Sequence, residues 1–388
     1  MSFRSEYCGE LLRTEGFFAY YTLETARDML LRRDPKRIYL LTNADLVQLA
    51  KLFSDFRVRR RNGEHGFLDS MEKPVYFSID FPENDVVHMP GLLDRERNVL
   101  IHAARHELFT VDGFYYDLGR ALFHDPLDAY SHLKKGVVHT VCGPEEAASL
   151  HPDIALKTAA LHAQTGFEID RPLSRFLKRA PVPSYEKPDR DALSCFLRIL
   201  EPKDGRSAQR AFSMLDEWGV LEHILPEVTA LKEVSHDKDH HPEGDGFHHT
   251  MRCLKCLKKP DRNLMMAALL HDTGKVGTRT RNGGFRFPNH SNESRKIAER
   301  ILRRFLFSRE DIEEISFLVG NHMVLNGVKR MGPAARDRLF SSPYFPKLLE
   351  LYRADIESGY HSTDCYYEAA RIYRDHKRKM NFKECAFF

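Results

Sequence analysis

The run Leu264-Met265-Met266-Ala267-Ala268-Leu269-Leu270-His271-Asp272-Thr273-Gly274-Lys275 decides how this chain is read. An apolar helical stretch leads straight into an imidazole and a carboxylate. Buried polar groups without partners are costly, so such a helix should stop short of them unless partners are provided. A His-Asp pair at that point calls for a metal ion or a hydrogen-bond network. Taken alone, the dipeptide favours a plain helix-terminal polar pair; the segments around it change that reading.

Upstream, Phe247-His248-His249-Thr250 opens a helix. Downstream, Phe287-Pro288-Asn289-His290 precedes another that begins near Ser291, and Phe317-Leu318-Val319-Gly320-Asn321-His322-Met323 ends an apolar helix. Leu348-Leu349-Glu350-Leu351-Tyr352-Arg353-Ala354-Asp355 places a carboxylate late in a further one. Each segment offers an imidazole or a carboxylate at a helix end or beside an apolar face, and a helical bundle can direct all of them inward around metal ions. His248 is the alternative to its neighbour His249. Lys275 suits either a cation set against phosphate oxygens or a solvated helix-end lysine.

The ordered series His249, His271-Asp272, His290, His322, Asp355 resembles the signature of the HD superfamily. The resemblance implies that His249, His271, Asp272 and Asp355 hold one divalent ion, and that His290 and His322, with Asp272 bridging, hold a second. Mixed nitrogen and oxygen donors suit Mn, Fe, Co, Ni, Zn or Mg without choosing among them. Such ions activate water near neutral pH and clamp a phosphoryl group in line with it. The expected reaction is hydrolysis of a phosphomonoester or phosphodiester, with Asp272 and Lys275 as its catalytic residues.

The 388-residue chain has room for about two or three domains. Apolar residues make up 42% and charged residues 30%, a balance suited to packed cores. A formal net charge of +3 is too even to argue for nucleic acid by bulk charge. Arg57-Val58-Arg59-Arg60-Arg61 reads first as a solvated turn before Asn62-Gly63, with phosphate contact as the alternative. Seven cysteines over this length make no disulfide framework, and Cys253 and Cys256 read as buried thiols of an apolar-periodic helix. The N-terminus lacks the layout of a secretory signal, and no run approaches the ~20 apolar residues of a membrane span. The expected location is the cytoplasm.

Strands are expected at Arg37–Leu41 and Val75–Ile79, and helices at Asp45–Phe53 and Arg97–Leu108. From about Pro144 the strand signals fade. Asp153–Thr165, Asp191–Leu200 and Ser207–Trp218 have helical spacing, with Gly219 as a stop. The expected layout is an α+β head over 1–145, a helical neck over 146–232 and a helical metal-binding domain over 233–388.

Beyond that domain, His240-His241-Pro242-Glu243-Gly244-Asp245 and Leu225-Pro226-Glu227 resemble bacterial tRNA nucleotidyltransferases (CCA-adding enzymes) and poly(A) polymerases that bear an HD domain. The head is similar to that family's through Arg27, Asp28, Leu30, Pro35, Lys36, Thr42 and Asn43, with Asp125-Pro126 and Gly166-Phe167 as structural landmarks. Yet Leu23 and Glu24 stand where the family has glycines, and Arg37 and Tyr39 replace its two metal-binding aspartates. Asp80 matches a remaining carboxylate. Glu96-Arg97-Asn98-Val99-Leu100-Ile101-His102-Ala103 and His151-Pro152-Asp153-Ile154 depart from two further motifs of the family. Nucleotidyl transfer needs carboxylates to hold Mg²⁺ on a triphosphate, so the head reads as an inactive nucleotidyltransferase fold. The expected substrate is a phosphomonoester or 2′,3′-cyclic phosphodiester of a nucleotide or RNA end, with tRNA or RNA as a partner and no membrane. Two rivals stand beside this: a working CCA-adding or poly(A)-adding enzyme, and a non-catalytic RNA- or nucleotide-binding protein with structural metals. The oligomeric state is left open.

Overall fold

A computed structural model describes residues 3–61, 63–68, 75–78, 92–185, 188–234, 244–278, 280, 287–359 and 362–385. The chain forms two compact units, residues 1–154 with 167–176 and residues 155–166 with 177–388. The first is α+β and the second is built of helices, which is the expected order of classes.

In the first unit the elements include α1 (Phe3–Thr14), β1 (Tyr20–Tyr21), α2 (Leu23–Leu30), β2 (Ile38–Leu41), α3 (Leu46–Leu52), β3 (Phe56–Arg61), β4 (Gly63–Leu68), β5 (Val75–Ser78), α4 (Leu92–Arg105), β6 (Tyr115–Asp117) and β7 (Leu122–His124). The strands form one sheet in the order β3-β4-β5-β2-β1-β6-β7. β2 and β5 run parallel, and the other neighbouring pairs are antiparallel. A parallel pair, β8 (Val137–Val138) and β9 (Glu168–Ile169), lies apart from it. Strand alternation puts Ile38, Leu40, Val75 and Phe77 on one face, where they pack with Cys8, Leu12, Phe53 and Phe56. Helix α3 starts where Asp45 and Gln48 form a reciprocal capping box.

One expectation needs correction. Arg57–Arg61 is not a solvated turn but most of β3, an edge strand of the sheet, joined to β4 across Asn62. The alternation of Phe56 and Val58 with arginines is a strand signal, and Asn-Gly is a hairpin signal. Solvated charges are also a usual guard on a sheet edge. Helix α4 extends further toward the N-terminus than Arg97 and ends at Arg105.

The second unit contains α5 (Ile154–Thr165), α6 (Arg190–Ile199), α7 (Gly205–Glu217), α8 (Gly246–Cys256), α9 (Arg262–Leu270), α10 (His290–Arg304), α11 (Arg309–Asn321), α12 (Phe345–Ser358) and α13 (Asp364–Cys385). Helix α9 is buried from Asn263 through Leu270, as its apolar run requires. Asp245, Asp261 and Ser308 cap α8, α9 and α11 by accepting from backbone N–H groups. Phe196 of α6 stacks on Phe305 just past α10, with centroids 4.7 Å apart. Gly205 opens α7 against the end of α8, where a Cβ would come within 2.5 Å of the Leu254 carbonyl oxygen. That close approach fixes the helix that carries His249. Gly219 ends its helical segment with φ +72°. No described helix is long and apolar enough to cross a membrane. Cys253 and Cys256 are unbridged, the first buried and the second partly so.

Candidate metal centre

Helix ends bring the polar residues together. His249 stands in the first turn of α8, His271 and Asp272 follow the last turn of α9, and His290 begins α10. His322 follows α11, and Asp355 lies in the last turn of α12. Two groups result, His249 with His271 and Asp355, and Asp272 with His290 and His322; in each, the ligand atoms lie within 4.8 Å of one another. Asp272 faces both. Its Oδ2 is 3.4 Å from His271 Nε2 and 3.7 Å from His249 Nε2, and its Oδ1 is 3.5 Å from His290 Nε2 and 3.7 Å from His322 Nε2. His249 Nε2 is 3.0 Å from Asp355 Oδ1.

The rings are held from behind. His271 Nδ1–H donates to the Ala268 carbonyl at 2.8 Å, His290 Nδ1–H to Phe287 at 2.9 Å, and His322 Nδ1–H to Val319 at 2.7 Å. In each case the acceptor lies three residues back, so a histidine at a helix end orients its own ring. His249 does it differently: the Ser358 hydroxyl donates to the Asp355 carbonyl at 2.6 Å, leaving its oxygen to accept from His249 Nδ1–H at 3.1 Å. Carbonyl or hydroxyl acceptors behind Nδ1 fix the tautomer and point the Nε2 lone pairs inward.

Electrostatics agree with that assignment at His322 and His290. Burial, with His271 close by, lowers the pKa of His322 to about 4 despite Asp272, so the ring is neutral. Burial also lowers His290. Burial alone would raise Asp272, but Lys275, His271 and His249 outweigh it and hold the carboxylate well below its usual range. Asp355 is likewise held low, burial being overcome by the close approach of His249 Nε2 and by His271. Neutral imidazoles and ionised carboxylates are the forms that bind divalent cations. His271 Nε2 is fully buried with no hydrogen-bond partner among the described residues, which is what an ion would supply. The donor set therefore fits divalent metal.

Of the two adjacent histidines, His249 is the one that enters the cluster. His248 is 65% exposed, and its Nδ1 meets Asp245 Oδ1 at 2.9 Å. Lys275 is not a solvated lysine: its Nζ lies 2.6 Å from Asp272 Oδ2 and its side chain is 13% exposed. Asp355, at 17% exposed, and Lys275 mark the side of the centre nearest solvent, whereas His271, His322 and Asp272 are sealed in. Two supporting residues were not foreseen. Ser358 carried no signal, since a serine at a helix end reads as a surface position. Gly274 lies in the quoted run, but its role depends on a distant helix: a Cβ there would stand 2.4 Å from the His290 carbonyl oxygen and 2.5 Å from Ser294 N. Ser294 Oγ accepts from Gly274 N–H at 2.8 Å, which seats the His271-Asp272 turn on α10.

The altered positions of the head can also be placed. Arg37 Nη1 lies 3.7 Å from the buried Glu24 carboxylate. Tyr39 on β2 stacks on Tyr76 on β5 with centroids 5.0 Å apart. Leu23 keeps a left-handed backbone, φ +52°, where the resembled family has glycine. Landmark residues serve structure: Arg27 is buried and ion-paired with Asp112, Asn43 Oδ1 accepts from Phe18 N–H, and Asp125 accepts from Ala129 and Tyr130 N–H groups. Asp80 and His240–Glu243 lie outside the described residues.

Residues 246–355 match the HD domain family. In sequence, a multifunctional CCA protein of Neisseria gonorrhoeae is 32% identical over 162 residues, 40% of this chain and 37% of that protein. One from Burkholderia cenocepacia is 35% identical over 133 residues, 34% of this chain and 32% of its own length. The chain thus covers about a third of these relatives' length. In fold, a CCA-adding enzyme of Bacillus stearothermophilus solved with CTP has a TM-score of 0.59 at 14% identity, covering 96% of this chain and 82% of that one. A tRNA-processing enzyme solved with CTP has a TM-score of 0.52 at 16% identity, covering 96% and 92%. Residues 246–355 thus carry an HD domain. The chain has the CCA-adding-enzyme fold and is homologous to multifunctional CCA proteins, in agreement with the resemblance to the HD-bearing tRNA nucleotidyltransferase family.

Proposed function

We propose that the HD domain is a metal-dependent phosphohydrolase with two adjacent ion sites, and that the head no longer transfers nucleotides. The observation that carries this is Asp272, which turns one carboxylate oxygen toward each histidine group. In this reading His249, His271, Asp355 and Asp272 would hold one ion, and Asp272, His290 and His322 the other. When bound, a pair of divalent ions supplies Lewis acidity toward a phosphoryl group and lowers the pKa of water. Asp272 stays ionised because Lys275 neutralises it from one side. An ammonium has three N–H donors, so Lys275 can keep Asp272 and still donate to a phosphate oxygen. A phosphate entering between Asp355 and Lys275 would meet the more exposed edge of the cluster. Substrates are nucleotides or RNA ends carrying phosphomonoesters or 2′,3′-cyclic phosphodiesters, a class implied by the resemblance to HD-bearing tRNA nucleotidyltransferases and in keeping with the tRNA-processing name of one structure of similar fold.

A second reading, nucleotidyl transfer, has the names of those relatives in its favour. Against it stand Arg37 and Tyr39: an arginine repels metal cations, and a phenol with pKa ~10 is a poor replacement for a carboxylate. Both readings face one experiment. Hydrolysis of a generic phosphodiester and of 2′,3′-cyclic AMP is measured with Mn²⁺, Ni²⁺ or Mg²⁺, for wild type and Asp272→Ala, beside CTP and ATP incorporation into tRNA. Turnover that vanishes in the variant, without incorporation, supports the hydrolase. Incorporation by wild type would return the head to catalysis. Folded, metal-loaded protein that turns over nothing would leave a binding protein with structural ions.

A further inference from the structure

Helix α4 carries a pair of imidazoles in a different unit from the HD cluster. His102 lies in its last turn and His106 just past its end, where His106 N–H donates to the Ala103 carbonyl at 3.1 Å. Residues four apart are neighbours on one helix face. The two Nε2 atoms stand 3.0 Å apart, with ring centroids 4.5 Å apart and ring planes at 61°. His102 is half-buried and His106 exposed, so the pair is reachable from solvent. The backbone that carries them is anchored. Leu100 and Ala104 are buried against Tyr20, Leu41 and Tyr115 of the sheet, and Leu108 and Phe109 are buried immediately beyond. His102 falls within Glu96–Ala103, a stretch that departs from the resembled family's motif.

The separation narrows the choice of ligand. Two rings meeting through Nε2 can share one proton, one ring donating and the other accepting. The same spacing suits a cation. With metal–nitrogen bonds of about 2.1 Å, donors at right angles stand about 3.0 Å apart and tetrahedral donors about 3.4 Å. Right-angled donors belong to tetragonal coordination, the preference of Cu²⁺ and Ni²⁺, and affinity along the divalent series peaks at Cu²⁺. Two donors already fixed on a packed helix lose little freedom on binding.

We propose that His102 and His106 form a two-imidazole clamp for a divalent transition ion of the Cu²⁺ and Ni²⁺ kind, with the remaining coordination positions open to water. The clamp shares no residue with the HD cluster and does not depend on the phosphohydrolase reading. The alternative is a hydrogen-bonded histidine pair that takes no ion.

The test is titration of the full chain with Cu²⁺, followed by calorimetry and by electron paramagnetic resonance of the bound ion. His102→Gln and His106→Gln keep a polar side chain at positions that solvent reaches, and circular dichroism checks that each variant is folded. Wild type is expected to show a Cu²⁺ site that either substitution weakens more than about tenfold, since a second tethered donor multiplies affinity. The double variant should be little worse than either single one, because one imidazole cannot chelate alone. Asp272→Ala, which alters the HD cluster, should keep this site. Nitrogen hyperfine structure on the copper signal should report two imidazoles in Asp272→Ala and should collapse when His102→Gln is added. The proposal is overturned if both single variants bind Cu²⁺ as wild type does, or if the affected site disappears in Asp272→Ala. Failure here would leave hydrolysis by the HD domain untouched, and failure of hydrolysis would leave this binding intact.

Discussion

The HD cluster and the β2–β5 face of the head are both polar places in the fold, and they treat charge in opposite ways. In the cluster, carboxylates and imidazoles converge, and each ring is braced through Nδ1 so that its Nε2 faces inward. On the head, an arginine and a tyrosine stand where the resembled family keeps acids, and the arginine already faces Glu24. One place gathers the donors that the proposed ions would need; the other carries a guanidinium. A fold can therefore keep its frame, as Arg27, Asn43 and Asp125 do here, while the polarity of a site on it reverses.

The comparison breaks most readily at Asp272. Asp272→Ala removes the carboxylate shared by both groups, and a fall in metal-dependent hydrolysis of more than about a hundredfold is expected. Metal content by mass spectrometry should drop with it, and full loading of the variant would sink the shared-carboxylate geometry. Gly274→Ala should come next, costing about 3 kcal/mol of stability in urea denaturation, because the new Cβ meets backbone atoms that cannot rotate away. Ser358→Ala leaves every proposed ligand in place but takes away the brace of His249. Metal affinity measured by chelator competition should fall about ten- to a hundredfold, with Ser358→Thr restoring part of it. Smallest of all is Leu23→Gly in the head. Relief of a left-handed leucine is worth about 1–2 kcal/mol, and the greater freedom of glycine when unfolded offsets about 0.5–1 kcal/mol of it. The melting temperature should move by no more than a few degrees, and a large loss would mean that the Leu23 side chain, not its backbone, matters.

Much of the helical unit was legible because apolar residues at helical spacing mark buried faces, and because the proposed ligands sit at helix ends where the pattern breaks. Gly219 gave a boundary through local chemistry that needs no tertiary context, whereas the start at Asp45 was read from apolar spacing and the structure adds its capping box with Gln48. The misreading at Arg57–Arg61 came from weighing charge over alternation: a strand at a sheet edge can carry arginines on its open side. Tyr20–Tyr21 is too short to carry a periodic signal, and its place in the sheet comes from pairing with β2 and β6. Ser358 and Gly274 were invisible for a related reason, since their partners are separated from them in sequence and only packing joins them. Within the cluster, sequence offered His248 or His249; the N-terminal turn of α8 sends one outward to Asp245 and the other inward.

Three of the four cluster histidines take their orientation from main-chain carbonyls, which every amino acid possesses. No single substitution at Ala268, Phe287 or Val319 can delete that acceptor, so genetic drift reaches these rings only through the path of the backbone. His249 leans instead on a hydroxyl, and one codon change can erase it. The proposed centre thus has a durable flank and an adjustable one, and a lineage that needed to retune it would have Ser358 as the most accessible place to begin.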